Sequence, residues 1–462
     1  MYAYVGYLIA ALLGLLVISG ITFKFNDRRR LLFGTSVTIF AAILIISLVS
    51  ILYGADGYIF GLLHIYQFSL LFVSLFSFAF ILVEILGYGS DNFELFNMFV
   101  GIAAAGVFLV VMAYSILTIF IAIELVSIST IMMIMTGGKR SVESATKLFI
   151  LSSISISVFA FAMVLMLPYD STLSLSLLSM NSSIGGDYII LLSMLMFIAA
   201  LSIDASLFPF NLWVADVYQG AQDYVTPMLS GINKKVAFVA LIYILFIVFA
   251  SYSHISSVIL EVVAVATMFF GNLVAMVQSN VKRMFAYSSI SQAGYILIGI
   301  TTFSTYGLEA SVFQIFAHVF MTIGAFAIVM WMESKGIRSV DDYKGMEHRN
   351  FWAFSSLTLI MLSMAGIPPL MGFFGKFLLF SSAISSGLLA LAFIGIINSF
   401  ISIYYYGKLI SSMLRDTDKG FFYLGRNVRI VVYLCLIAII AFGVYPHPLL
   451  SVISKSVSSL IH

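Results

Sequence analysis

Hydrophobic positions in this chain come in long unbroken runs, separated by short polar clusters, with neither strand-like alternation nor the narrow stripe of a surface helix. A helix needs roughly 20 apolar residues to cross a bilayer, so the runs read as membrane spans. They fall at 1–22, 31–53, 58–86, 95–113, 115–136, 143–167, 188–208, 225–250, 255–278, 283–302, 308–332, 351–387, 389–412 and 429–450. The fourth and fifth run together with only Tyr114 between them, and the twelfth is interrupted at Pro368-Pro369. The first run, Met1 to Phe23, lacks a basic leading region and a small-residue cleavage site and reads as a retained span. About fourteen spans fit the chain of 462 residues.

The polar clusters alternate in charge. Lys24 with Arg28, Arg29 and Arg30 fall on one side, as do Lys139 with Arg140 and Lys282 with Arg283. Lys335, Arg338, Lys344 and Arg349, then Arg415, Lys419 and Arg426, join them. The loops around 54–57, 168–187, 251–254 and 303–307 carry no Lys or Arg. The positive-inside rule then predicts an even number of spans with both termini outside. Pro168 to Asp187 reads as a serine-rich outer loop and 333–350 as the longest charged inner loop, leaving no room for a soluble domain.

Composition agrees: 62% of residues are hydrophobic, 9% are charged and the mean hydropathy is +1.12. This is the make-up of an all-α polytopic membrane protein. The net charge of +2 gives a nucleic-acid role no support. Cys435 is the only cysteine, which excludes an intrachain disulfide framework or a cysteine-held cluster. The chain has no nucleotide-binding glycine loop, no metal-spaced His/Cys group and no nucleophile elbow, and so no expected cofactor of its own.

Subtracting the loops leaves ten ionisable groups at membrane depth: Glu84, Glu124, Lys147, Asp204, Lys234, Lys235, Glu261, His318, Lys376 and Lys408. Glu84, Lys147, Glu261 and Lys408 lie near span ends, where reaching the headgroups is the favoured reading. Lys147 also follows Glu143 by four residues, a favourable helical pair. Glu124 sits mid-span with no basic neighbour on its own helix, so it needs a partner elsewhere or a proton. Lys234 and Lys235 are adjacent and cannot point the same way; one is expected to face the interior and the other a different helix or the loop region. For mid-span His318, a hydrogen-bonded core role and a proton relay stand level. Lys376 follows the Pro368-Pro369 break in GIPPLMGFFGKF (Gly366–Phe377). A lysine at the bilayer centre costs ~2.5–3.5 kcal/mol, so charge and break together point to an ion route. GIAAAG (Gly101 to Gly106) reads as a close helix-packing stretch.

Seven strings carry a family resemblance over about residues 90 to 415. They are IELVSIS (Ile123–Ser129), SVESATKLFIL (Ser141–Leu151), PFNLWVADVYQGA (Pro209–Ala221), GNLVAMVQSNVKRMFAYSSISQAGY (Gly271–Tyr295), MTIGAFAIV (Met321–Val329), DDYKGM (Asp341–Met346) and LSMAGIPPLMGFFGKF (Leu362–Phe377). The chain resembles the antiporter-like membrane subunits of respiratory complex I, most of all subunit N of NADH–quinone oxidoreductases and of archaeal F420H2 dehydrogenases. The first three spans and the last fit by count and hydropathy only. The resemblance implies two inverted five-helix repeats, each with a discontinuous helix, over roughly 95–250 and 255–412. The division it gives is 1–94 (three helices), 95–250, 251–412 and 413–462.

It also implies a hydrated midplane row of charges: Glu124 in the fifth helix, Lys234 at the start of the eighth, His318 in the eleventh and Lys376 in the broken twelfth. One position departs from the pattern. The family's lysine in the broken seventh helix falls on Asp204, so a base has become an acid. If Glu124 and Asp204 are neighbours, the two carboxyls would share a proton; an ion pair of Asp204 with Lys234 or Lys235 is the competing arrangement.

The expectation is therefore a proton-translocating subunit of a prokaryotic quinone-reducing complex in the cell membrane, with redox chemistry in partner subunits. Protons enter near Lys234, pass by His318 and leave under control of Lys376, while Glu124 and Asp204 set the electrostatics through the first repeat. The alternatives are a subunit of a multisubunit Na+/H+ antiporter or membrane-bound hydrogenase, with Na+ a possible coupling ion, and a structural subunit that has lost pumping.

Overall fold

The computed structural model describes residues 29–181, 188–416 and 420–461, with Gly6, Ile9, Ala11, Leu12, Gly14 and Leu15 before them. The expected first span at 1–22 therefore lies almost wholly outside the described residues, as do Lys24, Arg28 and Lys419. The fold is all-α, built from membrane-crossing helices. Among the described residues, eleven helices are long and apolar enough to cross a bilayer, and two shorter apolar ones stand at 351–365 and 371–385.

In chain order the first seven helices are α1 (Arg29–Leu52), α2 (Gln67–Gly87), α3 (Phe93–Val111), α4 (Ile116–Met135), α5 (Lys139–Met166), the short α6 (Leu175–Asn181) and α7 (Tyr188–Ala205). After these come the short α8 (Trp213–Gly220), α9 (Thr226–Val248), α10 (Ser253–Val277), α11 (Val281–Thr301) and α12 (Thr305–Ser334). The last five are α13 (Phe351–Ala365), α14 (Met371–Ser385), α15 (Leu389–Met413), α16 (Arg426–Val444) and α17 (His447–Ile461).

Small polar residues start the helices where apolar runs meet loops. Ser115, Asn280, Ser304 and Asn350 each accept a backbone N–H from the first turn of α4, α11, α12 and α13. Such caps contribute about 0.5–2 kcal/mol each. Ser115 settles the boundary that Tyr114 left open, because the chain turns between Met112 and Ser115 and α4 begins afresh.

Two boundaries differ from the hydropathy reading. The third span starts at Gln67, not 58, because residues 57–65 form a two-stranded hairpin, β1 (Gly57–Ile59) and β2 (Leu63–Ile65). Gly54 and Gly61, at φ of 62° and 66°, supply turns no helix accommodates. The last run ends at Val444, and Pro446 and Pro448 start a separate helix, α17, that hydropathy merged with it. The expected outer loop at 168–187 contains α6, with its residues 182–187 outside the described part.

The chain forms two compact units. Unit 1 comprises Met1–Ala205, Ile232–Ser257 and Val452–His462. Within it α3 packs on α4, α1 on α2, α5 on α7, and α9 on both α7 and α3. Gly106 lets α3 and α4 meet closely, since a Cβ there would stand 2.8 Å from the Ala122 carbonyl. Unit 2 comprises Ser206–Gly231 and Val258–Ser451. Its centre is α12, whose whole apolar stretch is buried and which packs on α11, α13, α14 and α16. At the polar end of unit 2, Lys282 lies 3.0 Å from Asp223 and 3.1 Å from Glu333, and Arg283 lies 2.7 Å from Asp216. Two of the basic residues expected in the inner loops are thus tied into ion pairs.

Candidate functional site

In unit 1 the polar groups gather around α4. Glu124 is half-buried, in the middle of that helix. Asp204 is the next-to-last residue of α7, one position before the chain leaves helical geometry: Ser206 takes a φ of 63°, and Pro209 follows. The Asp204 carboxylate accepts from Ser155 of α5, whose hydroxyl lies 2.9 Å from it and 2.9 Å from the Ala200 carbonyl. Glu124 is near enough for its charge to act on Asp204. Of the two arrangements the sequence left open, the carboxyl pair is the one the surroundings of Asp204 favour, with the Ser155 hydroxyl bonded to it and the charge of Glu124 within range. Two like charges in a medium of low polarity repel strongly, so the pair is suited to sharing a single proton.

Lys234 and Lys235 follow a wide π-helical turn, Leu229–Asn233, within α9. Both are buried, at 1% exposure, so of the two places expected for the second lysine the loop region is excluded and a neighbouring helix is left. Every residue of α9 from Lys234 to Leu245 is enclosed, leaving no loop side for the second lysine to reach. Neighbouring Asn233 donates to Thr130 of α4 at 2.7 Å, tying the wide turn to the helix that carries Glu124. Such turns open the backbone ladder and recur at functional sites.

In unit 2 the broken helix is the organising feature. Helix α13 ends in a left-handed Gly366 (φ 91°), with Ile367 N–H bonding Leu362 O at 3.0 Å and Gly366 N–H bonding Ser363 O at 3.0 Å. This is the glycine-closed helix end that satisfies terminal carbonyls. After Pro368 and Pro369 the chain re-enters a helix at Met371, and Gly372 N–H donates to Ser363 Oγ at 3.1 Å. A Cβ on Gly372 would stand 1.9 Å from the Ser363 carbonyl, so only glycine lets the two half-helices meet. From α16, Gly443 closes on the same segment, where a Cβ would lie 2.4 Å from Pro369 O.

Lys376 is buried and aims its ammonium back at this break. Nζ donates to Ala365 O at 3.1 Å and to Ser399 Oγ at 2.9 Å, and sits 4.5 Å from the Tyr295 ring centre. A cation at the C-terminal end of a half-helix is where the helix dipole favours one. A buried polar file continues from the break. Gln292 donates to Met364 O at 3.1 Å, and Gln314 donates to Gln292 at 3.0 Å. His318 lies one turn beyond Gln314 on α12 and Thr322 one turn further, with the Thr322 and Ser230 hydroxyls 2.7 Å apart. The structure therefore places Lys376 and His318 on one buried file of unit 2, and Glu124, Asp204 and the lysines within unit 1.

The span-end group divides. Lys147 pairs with Glu143 at 2.9 Å and Lys408 is exposed, as expected; Glu261 is half-buried. Glu84 is wholly buried and does not reach headgroups, because the packing of α2 against α1 and α3 covers that turn. Sequence reasoning also missed Ser155, Asn233, Gln292, Gln314 and Ser399. A signal for the first was present: Ser155 belongs to a run of serines, with Ser152, Ser153 and Ser157, inside a membrane span.

Comparison with known proteins gives the family. Residues 113–402 match the family described as NADH:quinone oxidoreductase/Mrp antiporter, TM. The chain belongs to that family. Over 98% of its length, this antiporter-family chain is 30% identical to NADH-quinone oxidoreductase subunit N of Desulforamulus reducens, covering 91% of that protein. It is 32% identical to F(420)H(2) dehydrogenase subunit N of Methanosarcina mazei over 80% of this chain and 79% of that one. Its fold matches a chain of the Mrp complex from Dietzia sp. DQ12-45-1b with a TM-score of 0.91, at 18% identity, over 99% of this chain and 97% of that one.

Proposed function

We propose that this chain is the proton-translocating, antiporter-like subunit of a complex I-type membrane oxidoreductase in a prokaryotic cell membrane, with both termini outside. Its partners are membrane and peripheral subunits that carry the electron-transfer cofactors, and this chain moves protons without binding a cofactor. The observation that carries the reading is a buried ammonium, Lys376, hydrogen-bonded to the backbone of a broken membrane helix in a chain of this family.

In unit 1, the Glu124–Asp204 pair takes up and gives back a proton, with the Ser155 hydroxyl holding the Asp204 oxygen in place. Lys234 and Lys235, enclosed beside the wide turn, are the groups whose charge responds to that exchange. In unit 2, protons move by way of His318 and water ordered by Gln314 and Gln292 to Lys376 at the break. The glutamines position water rather than carrying protons themselves, because an amide side chain does not titrate. The two inverted repeats of 95–250 and 255–412 supply one broken helix each.

The test is to purify the chain from its native membrane with its partners, identify them, and reconstitute the assembly. Co-purifying quinone-reducing subunits and donor-driven proton uptake that is lost in His318→Phe support the reading. Antiporter subunits as partners, with Na+/H+ exchange and no electron transfer, would replace it with the rival the family's description also names.

A further inference from the structure

The search leads away from the charged groups above to the N-terminal helices, where Glu84 of α2, Asn97 of α3 and Ser36 of α1 form a closed polar cluster. All three are 0% exposed. Asn97 Nδ2 spends its two hydrogens on Glu84 Oε1 at 3.0 Å and on Ser36 Oγ at 2.5 Å. The Ser36 hydroxyl in turn donates to Leu32 O at 2.9 Å. Every donor in the cluster is then used, and two acceptors are left without a partner: Glu84 Oε2 and Asn97 Oδ1.

Among the described residues no cation answers the carboxyl. Of the charged groups on the helices packed against α2, α1 carries Arg29 and Arg30, α3 carries Glu94, and α9, whose Tyr243 ring meets Phe68 of α2, carries Lys234 and Lys235. Arg29 is directed at Glu94 (2.5 Å) and at the carbonyls of Ser90 and Asp91 (3.5 and 3.0 Å), while Arg30 is exposed. An ionised carboxylate in this place would be a buried, unpaired charge, among the costliest arrangements a fold can hold.

One hydrogen resolves both deficits. Placed on Oε2, it turns an acceptor into a donor, and the acceptor it needs, Asn97 Oδ1, belongs to the amide already bonded to Oε1. Acid and amide then make the complementary two-bond pair in which each supplies one donor and one acceptor. We propose that Glu84, Asn97 and Ser36 form a proton-binding site built into the N-terminal helices, with residues distinct from those of the Glu124–Asp204 pair.

The reasoning makes Glu84→Gln a close mimic of the loaded site, since glutamine offers the same donor and acceptor without charge. The assembled wild-type and E84Q proteins are compared by infrared difference spectroscopy in neutral buffer. The expected result is wild-type assembly in E84Q, together with loss of one protonated-carboxyl C=O band relative to wild type. Carboxylate bands lost in its place, or failure of E84Q to assemble, overturns the proposal. Glu84→Leu separates the two contributions: it lacks the donor and acceptor, and its expected yield is below that of E84Q. Equal yields of E84L and E84Q would also overturn it, because the acid–amide pair would then hold nothing.

Discussion

Lys376→Met separates the stabilising role of a buried charge from its transport role. Removing the ammonium forfeits two hydrogen bonds from a charged donor, worth about 1.5–3 kcal/mol each. It also forfeits the contact with the Tyr295 ring, worth about 2 kcal/mol when desolvated. Against this, the fold no longer holds an unpaired ammonium, which costs several kcal/mol. The Ala365 carbonyl is not orphaned either, because Ser399 Oγ also donates to it at 3.0 Å. Methionine fills nearly the same length, so the opposing contributions leave a net change within about 2 kcal/mol in either direction. Assembly on a native gel and the thermal midpoint in detergent should therefore stay close to wild type. Donor-driven proton uptake in proteoliposomes, read with a pH-sensitive dye, should fall at least about tenfold, equivalent to 1.4 kcal/mol. Wild-type uptake at normal turnover in K376M would refute the transport role. A loss of assembly would refute the energetic argument, showing that the break depends on the ammonium for its structure.

Three further outcomes follow from the geometry. Asp204→Asn keeps a hydrogen-bonding partner for Ser155 but cannot carry a proton, so it and Glu124→Gln should each assemble normally and pump at least about tenfold less; normal coupling in both would leave the chain a structural subunit. Gly372→Val drives a side chain into the Ser363 carbonyl and should abolish assembly, whereas Gly407→Ala in open space on α15 should assemble and gain about 0.5–1 kcal/mol; equal midpoints for the two variants would contradict the contact geometry. His64, stacked between Tyr58 and Tyr66 at 4.2 Å from each, is held below its usual 6.5 by burial, with Asp56 opposing in part. A depressed folded value means that hairpin stability is complete above the unfolded value and is lost as pH falls through the folded one. Amide exchange over 57–66, corrected for intrinsic rates, should be flat above 6.5 and rise below it; a profile flat throughout would refute this.

Hydropathy placed most spans because a bilayer leaves helices few alternatives, and the isolated mid-span charges Glu124 and Lys376 stood out against an apolar background. Position along a span proved a poor guide to burial. Glu84 lies three residues from the end of α2 and is nevertheless sealed, since helix packing rather than depth decides what water reaches. The hairpin at 57–65 was hidden because its Tyr, Ile and Phe residues read as apolar while its glycines and Asp56 bend the chain. Ser399 and Gln292 were illegible for a different reason: they bond carbonyls that only a broken helix exposes, and Gln314 joins them only through Gln292.

The last crossing helix takes on a new significance from one bare position. With no side chain at Gly443, α16 lies flush against the main chain of the Pro369–Met371 segment and acts as a backstop. The break at Pro368-Pro369 is thus braced from behind by a helix packed directly on its backbone. Shortening the protein before residue 426 would leave Lys376 and both half-helices in the chain and still remove the wall behind the break.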